Sequence, residues 1–146
     1  METQANNETK NKKLKLDFKD SKYATGRRKK SIARVWVKKG SGEFFVNGKK
    51  MIEYFKKENL QTAINRPFTI TKRTNEFDVK CSVKGGGLSG QAGAITLGIS
   101  RALVEFEHAL KTTLKKEKLT TRDSRAVERK KYGHRKARRS YQFSKR

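Results

Sequence analysis

Gly85, Gly87 and Gly90 stand in the spacing G-x-G-x-x-G, after the alternating run Phe77 to Lys84 and before small and apolar residues at helical steps. In that context glycines let backbone N–H groups approach a phosphate, and a helix N-terminus adds about half a positive charge. Dinucleotide binding asks for more: a second parallel strand ending in an acid about 20 residues on, and a further α/β half. Glu105 falls inside the helical run instead, and a chain of 146 residues leaves no room for the second half. A phosphate of RNA or DNA fits the loop equally well, which makes Gly86, Gly87, Ser89, Gly90 and Gln91 candidate nucleic-acid contacts.

The other groups with a recognisable chemistry are cations. Arg27, Arg28, Lys29 and Lys30 form a run, and Arg34 and Lys38 flank Trp36 at alternate positions. Cations neutralise phosphates and a ring offers a stacking face to a base. Trp36 also suits the plainer role of covering a sheet edge, so the four-residue basic run is the stronger signal. Residues 120–146 then hold eleven Lys or Arg against Asp123 and Glu128. Among these, Arg122, Arg125, Arg129, Lys130 and Lys131 precede a second cluster of Arg135, Lys136, Arg138 and Arg139. Other chemistries find no footing. Cys81 is alone and His108 and His134 are the only histidines, too few for a disulfide framework or a zinc site. No P-loop, Ser/His/Asp constellation or carboxylate dyad stands out, so neither an enzyme nor a cofactor, metal or small-molecule substrate is expected.

Charge sets the class of partner. The chain carries +24 from 38 basic and 14 acidic residues, and self-repulsion on that scale opposes compactness until a polyanion supplies counter-charge. The excess is spread: +2 over residues 1–22, +13 over 23–119 and +9 over 120–146. A membrane-surface role needs an amphipathic helix with a real apolar face, which the tail lacks. No apolar run approaches the roughly 18 residues of a membrane span, and no signal-peptide core opens the chain. The lone cysteine points to a reducing compartment.

These groups need elements to position them. One domain is expected, over residues 23–119, between a mobile arm (1–22) and a basic tail (120–146). The arm lacks Arg and has four acids, unlike an Arg-rich, acid-poor transit peptide. SIARVWVKK alternates as a half-buried strand. Gly40-Ser41-Gly42 then suggests a turn into a partner strand at Glu43 to Val46, closed by the tight-turn pair Asn47-Gly48. Met51 to Ile64 reads as one broken or two short helices, ended at Asn65-Arg66-Pro67, with a strand at Phe68 to Thr71. Phe77 to Lys84 is the cleanest strand, and makes Cys81 a small core residue. Gln91 to Ala109 forms a long amphipathic helix. Gly93 and Gly98 inside it cost about 1 kcal/mol each relative to Ala, which close packing against the sheet or an RNA backbone would explain. Leu114 and its neighbours extend or follow it.

Taken together, TGRRK (25–29), ARVW (33–36), VNG (46–48), EYF (53–55), GGGLSGQAGAI (85–95) and TRDSRAVERKKYG followed by RKARRSYQFSKR resemble the universal small-subunit ribosomal protein of the S-nine family, of bacterial or organellar type. The resemblance covers residues 23–146. It implies an α/β (α+β two-layer) fold: a mostly antiparallel four-stranded sheet backed by helices, with a left-handed βαβ crossover. It implies a structural role in the head of the small subunit, beside neighbouring head proteins, with the domain and tail cations on rRNA. The tail's last residues, Ser144, Lys145 and Arg146, would reach the anticodon stem-loop of P-site tRNA. The pattern favours a mitochondrial ribosome over a bacterial or plastid one.

The tail divides accordingly. Thr120 to Lys131 is expected as a short helix, with Thr120 and Asp123 spaced as a capping box. Tyr132 to Arg139 would track rRNA, and Tyr141 to Arg146 would form the tip. At about 3.3 Å per extended residue, residues 133–146 span about 45 Å, enough to leave the domain and reach a second RNA. The rival from another class is a free nucleic-acid chaperone or architectural protein. It accounts for the charge but not for the glycine-rich helix start or the carboxy-terminal tip.

Overall fold

The computed structural model describes residues 20–145. It is α+β, with strands β1 (Lys22–Arg28), β2 (Ser31–Lys39), β3 (Phe44–Val46) and β4 (Lys49–Lys50), helices α1 (Met51–Tyr54) and α2 (Glu58–Ile70), strand β5 (Phe77–Lys84), and helices α3 (Leu88–Phe106) and α4 (Leu110–Lys116). Of the expected arm only residues 20–22 are described, and Lys22 already opens β1.

The strand with the strictest alternation is the centre of the sheet. Phe77, Val79, Cys81 and Val83 of β5 are buried, as are Ala33, Val35 and Val37 of β2. Two such apolar rows side by side, Val35 opposite Cys81 and Val37 opposite Val79, give the helices one continuous face to cover. The order is β1-β2-β5-β3-β4, five strands rather than the four expected, the fifth being the two-residue β4. The sheet is mixed: β3 runs parallel to β5 and the other pairs are antiparallel.

α3 lies across β1 and β2, with α2 and α4 against its flank. Ile95, Ile99 and Leu103 of α3, Ile64 and Phe68 of α2, and Leu114 of α4 complete the core. Burying each such side chain is worth about 1.5–3 kcal/mol. The contact with β1 is backbone to backbone: a Cβ on Gly26 would lie 1.8 Å from the Ala94 carbonyl oxygen, and one on Gly98 would lie 2.5 Å from Val35 Cγ2. Of the two reasons considered for the helix glycines, Gly98 answers to the sheet. Gly93 instead makes room for the Arg28 side chain, whose Cδ would be 2.3 Å from an added Cβ.

Three local expectations are corrected. SIARVWVKK does not form a hairpin with Glu43 to Val46; β2 pairs with β1 and β5, and β3 lies on the far side of β5. Asp78 of β5 explains the detour, since its Oδ1 accepts the backbone N–H groups of Ser41, Gly42 and Glu43, each at 2.9 Å, and leads that segment over the end of the strand. Asn47-Gly48 does make a tight turn, from β3 into β4, with both φ values positive.

Residues 68–70 belong to α2, which runs through Pro67, so the expected strand at Phe68 to Thr71 does not form. A helical proline leaves the carbonyl four residues back without its N–H donor. Here that carbonyl is Ala63's, and the Thr96 hydroxyl of α3 sits 3.1 Å from it, sharing its proton with Ala92 O at 2.9 Å. Finally, residues 120–131 form no helix. Asp123 takes the N–H of Arg125 at 3.0 Å, a local turn bond that competes with helix formation.

Candidate nucleic-acid interface

The basic run Arg27 to Lys30 is the tip of a hairpin. Arg28 faces Ser31 in the β1–β2 register, so Lys29 and Lys30 form the turn, with Lys29 at φ 51°. Beside it runs the turn Gly85-Gly86, at φ 75° and 64°, conformations that favour glycine. The two turns touch: a Cβ on Gly86 would lie 2.1 Å from Ser31 Oγ. Ser31 Oγ donates to the Gly85 carbonyl at 3.0 Å, Gln91 Nε2 donates to the same oxygen at 3.2 Å, and the Tyr54 hydroxyl donates to Gln91 Oε1 at 2.8 Å.

That network sorts the loop residues. Gln91 and Gly90 are buried, and a Cβ on Gly90 would sit 2.8 Å from Ser31 Oγ. Both therefore shape the loop from beneath, and any contact of theirs would be through the backbone of the helix start. Gly86, Gly87 and Ser89 are exposed. Gly87 caps α3 with extended backbone, and no side chain caps the helix start. The first turn thus presents its N–H groups and positive dipole end beside Lys29 and Lys30.

Arg28 links this corner to the tail. Its side chain crosses Gly93 and its guanidinium lies 3.3 Å from Asp123. Asp123 also accepts from Arg125 Nε at 3.0 Å. The Arg125 hydrogen bonds, with Arg28 as a lesser charge, hold the Asp123 carboxyl well below the usual carboxylate range. Between hairpin tip, α2 and α3 lies a cleft of about 380 Å³ whose lining includes Arg27, Arg28, Arg66, Ser89, Lys118 and Asp123. Arg66 and Lys118 were not foreseen, because the fold brings them to Arg28 from far along the chain.

The tail cations Arg122, Arg125, Arg129, Lys130, Lys131, Arg135, Lys136, Arg138 and Arg139 are all exposed. Glu128 gathers Lys131 at 2.7 Å and Arg138 at 2.9 Å, which lower its own pKa. The segment is not simply extended. The Arg135 N–H donates to the Arg139 carbonyl at 2.7 Å and His134 bridges to Ser140, closing a loop that displays basic side chains outward. Ser144 and Lys145 are exposed, and Arg146 lies outside the described residues. Arg34 is not at the helix start; it stands on the sheet face opposite the helices, 5.2 Å from the Trp36 ring.

Burial pushes the Cys81 thiol up, away from reactivity. Among the described residues no group of His, Cys, Asp or Glu is gathered to hold a metal, and no helix is long and apolar enough to cross a membrane.

Residues 26–146 match the model of the family described as ribosomal protein S9/S16. The match spans the hairpin tip, the glycine turn, α3 and the basic tail. It supports a structural, non-enzymatic place in the ribosome, and nothing supports the free-chaperone alternative. With most of its length matched, including every exposed cation cluster described above, the chain belongs to the S9/S16 family of ribosomal proteins.

Proposed function

We propose that this chain is a structural constituent of the small-subunit head that binds rRNA through its domain and tail and supports P-site tRNA through its last residues. The observation that carries the reading is the convergence of the Lys29-Lys30 turn on the uncapped start of α3, with Arg28 tying the tail to the same corner through Asp123. Backbone N–H groups and mobile cations at one place bind phosphates without reading sequence.

In this reading Arg27, Lys29, Lys30, Gly86, Gly87 and Ser89 take one stretch of rRNA backbone, and the cations from Arg122 to Arg139 follow another. Ser144, Lys145 and Arg146 are the tRNA contacts, at a site that must accept every tRNA and so is served by phosphate contacts. The 134–140 loop shortens the reach of the tail, and opening it on RNA restores the length. The left-handed crossover would lie in the unit that joins the parallel pair β3 and β5 through α1 and α2. Neighbouring head proteins and a mitochondrial ribosome belong to the same proposal, and co-purification with mitochondrial small subunits checks the compartment.

The test is deletion of residues 144–146. Small subunits should assemble with the shortened chain, while their affinity for P-site tRNA drops several-fold. Undiminished tRNA binding by purified mutant subunits would remove the tip from the mechanism.

A further inference from the structure

The face of the sheet turned away from the helices is a built surface of rings and cations. The register places Tyr23, Trp36, Lys80 and Phe45 in one row across β1, β2, β5 and β3. With strands about 4.8 Å apart, the row is about 14 Å long. Tyr23 and Trp36 are in ring contact, centroids 5.3 Å apart and tilted by 43°. Phe45 and Trp36 are both only partly buried, and neither packs on the core cluster. Arg34, one register step away, extends its guanidinium over both the Tyr23 and the Trp36 rings, at 5.8 and 5.2 Å. Lys84 and Arg27 continue the positive charge on either side of the exposed Ile32.

The charge identifies the occupant. The acids lie at one end of this face: Asp78, whose Oδ1 is engaged by the backbone of Ser41, Gly42 and Glu43, and the exposed Glu43 beside it. From the Tyr23–Phe45 row to Lys84 the charged groups are all cations, set among rings and small neutral side chains, which suits a polyanion that also has flat faces to offer. A duplex has its bases stacked already and shows phosphates and hydroxyls to a protein, so rings would add nothing to its binding. Unpaired bases gain a stacking partner from each ring, and a sheet of this width holds two or three of them. We infer that the outer face of the sheet, with Tyr23, Trp36 and Phe45 as stacking rings and Arg34 and Lys80 as phosphate or base-plane contacts, is a platform for unpaired RNA nucleotides.

The inference rests on the RNA-binding reading above but concerns a surface apart from the helix start and the tail, so the two fail separately. Trp36 is the chain's single tryptophan, and its emission reports the platform alone. The full chain is titrated with a fluorescein-labelled single-stranded RNA of about ten nucleotides and with a duplex of equal length, following RNA anisotropy and Trp36 emission together. Single strands should quench Trp36 saturably and the duplex should not.

The Tyr23→Leu, Phe45→Leu double variant keeps apolar bulk but loses two rings. With its circular dichroism unchanged, it should bind single strands about five- to tenfold more weakly and the duplex equally well. Single-strand binding that leaves Trp36 emission unchanged overturns the platform while sparing the RNA-binding reading; absence of any RNA binding overturns both. Equal quenching by the duplex overturns the claim for unpaired bases. A photoreactive residue placed at position 36 of assembled subunits should crosslink to RNA, and a crosslink to protein instead overturns the assignment.

Discussion

Gly26 and Gly87 show how differently two glycines can be required. An added methyl at Gly26 would meet the Ala94 carbonyl oxygen at 1.8 Å, whereas one at Gly87 would meet nothing within 4 Å. A backbone oxygen cannot rotate aside, so Gly26→Ala should cost roughly 3 kcal/mol as α3 is pushed off the sheet. Gly87→Ala should stay within about 0.5 kcal/mol; urea unfolding of both checks the contrast. At Asp123 the same scale governs charge. Its pKa is lowered on folding by Arg125 and Arg28, so its bonds are present above the ordinary carboxylate value of about 3.9 and are lost only as pH falls through the lower, folded value. A carboxyl carbon NMR titration should place the Asp123 midpoint clearly below that of a free aspartate. Asp123→Asn should release Arg28 at neutral pH, and a midpoint near 4 would deny the latch.

Among the elements, α2 makes the most specific claim, because it runs through a proline. If Thr96 replaces the donor that Pro67 withholds from Ala63, Thr96→Val should cost about 1 kcal/mol. The loss should shrink in a Pro67→Ala background, where the helix supplies its own N–H; a double-mutant cycle by thermal unfolding measures the coupling. The same proline shows what the sequence could and could not convey. The period-2 runs of β2 and β5, the helical steps of α3 and the Asn47-Gly48 turn were all legible, since side-chain alternation and positive φ are local matters. The end of α2 was misplaced because its support comes from Thr96, distant in the chain. The partner of β2 was misplaced for a similar reason, with Asp78 steering the Ser41–Glu43 segment past β5. The site shared that limit: Arg27 to Lys30 and the glycines were visible as residue types. Their meeting, and the inward turn of Gln91, depended on the register of β1 with β2 and on Ser31.

For the whole molecule, the decisive fact is where charge and core part company. The buried cluster ends at Leu114, with Leu119 packed against its edge; beyond Leu119 lie eleven cations and two acids, and none of the described residues there joins the core. A chain cut after Leu119 should therefore fold, with a melting temperature within a few degrees of the full protein, because the apolar burial that offsets chain entropy is intact. Its RNA binding should change in kind as well as strength. Each phosphate neutralised by a cation contributes about 0.7 to the salt slope on single strands. If about half of the tail cations meet phosphates, truncation should lower the magnitude of that slope by roughly 3 to 4. Affinity loss should accordingly be large at low salt and small at high salt, while the Trp36 response to single strands persists. A truncated chain with an unchanged slope would mean that the tail is a spectator and the domain alone carries the electrostatic contact.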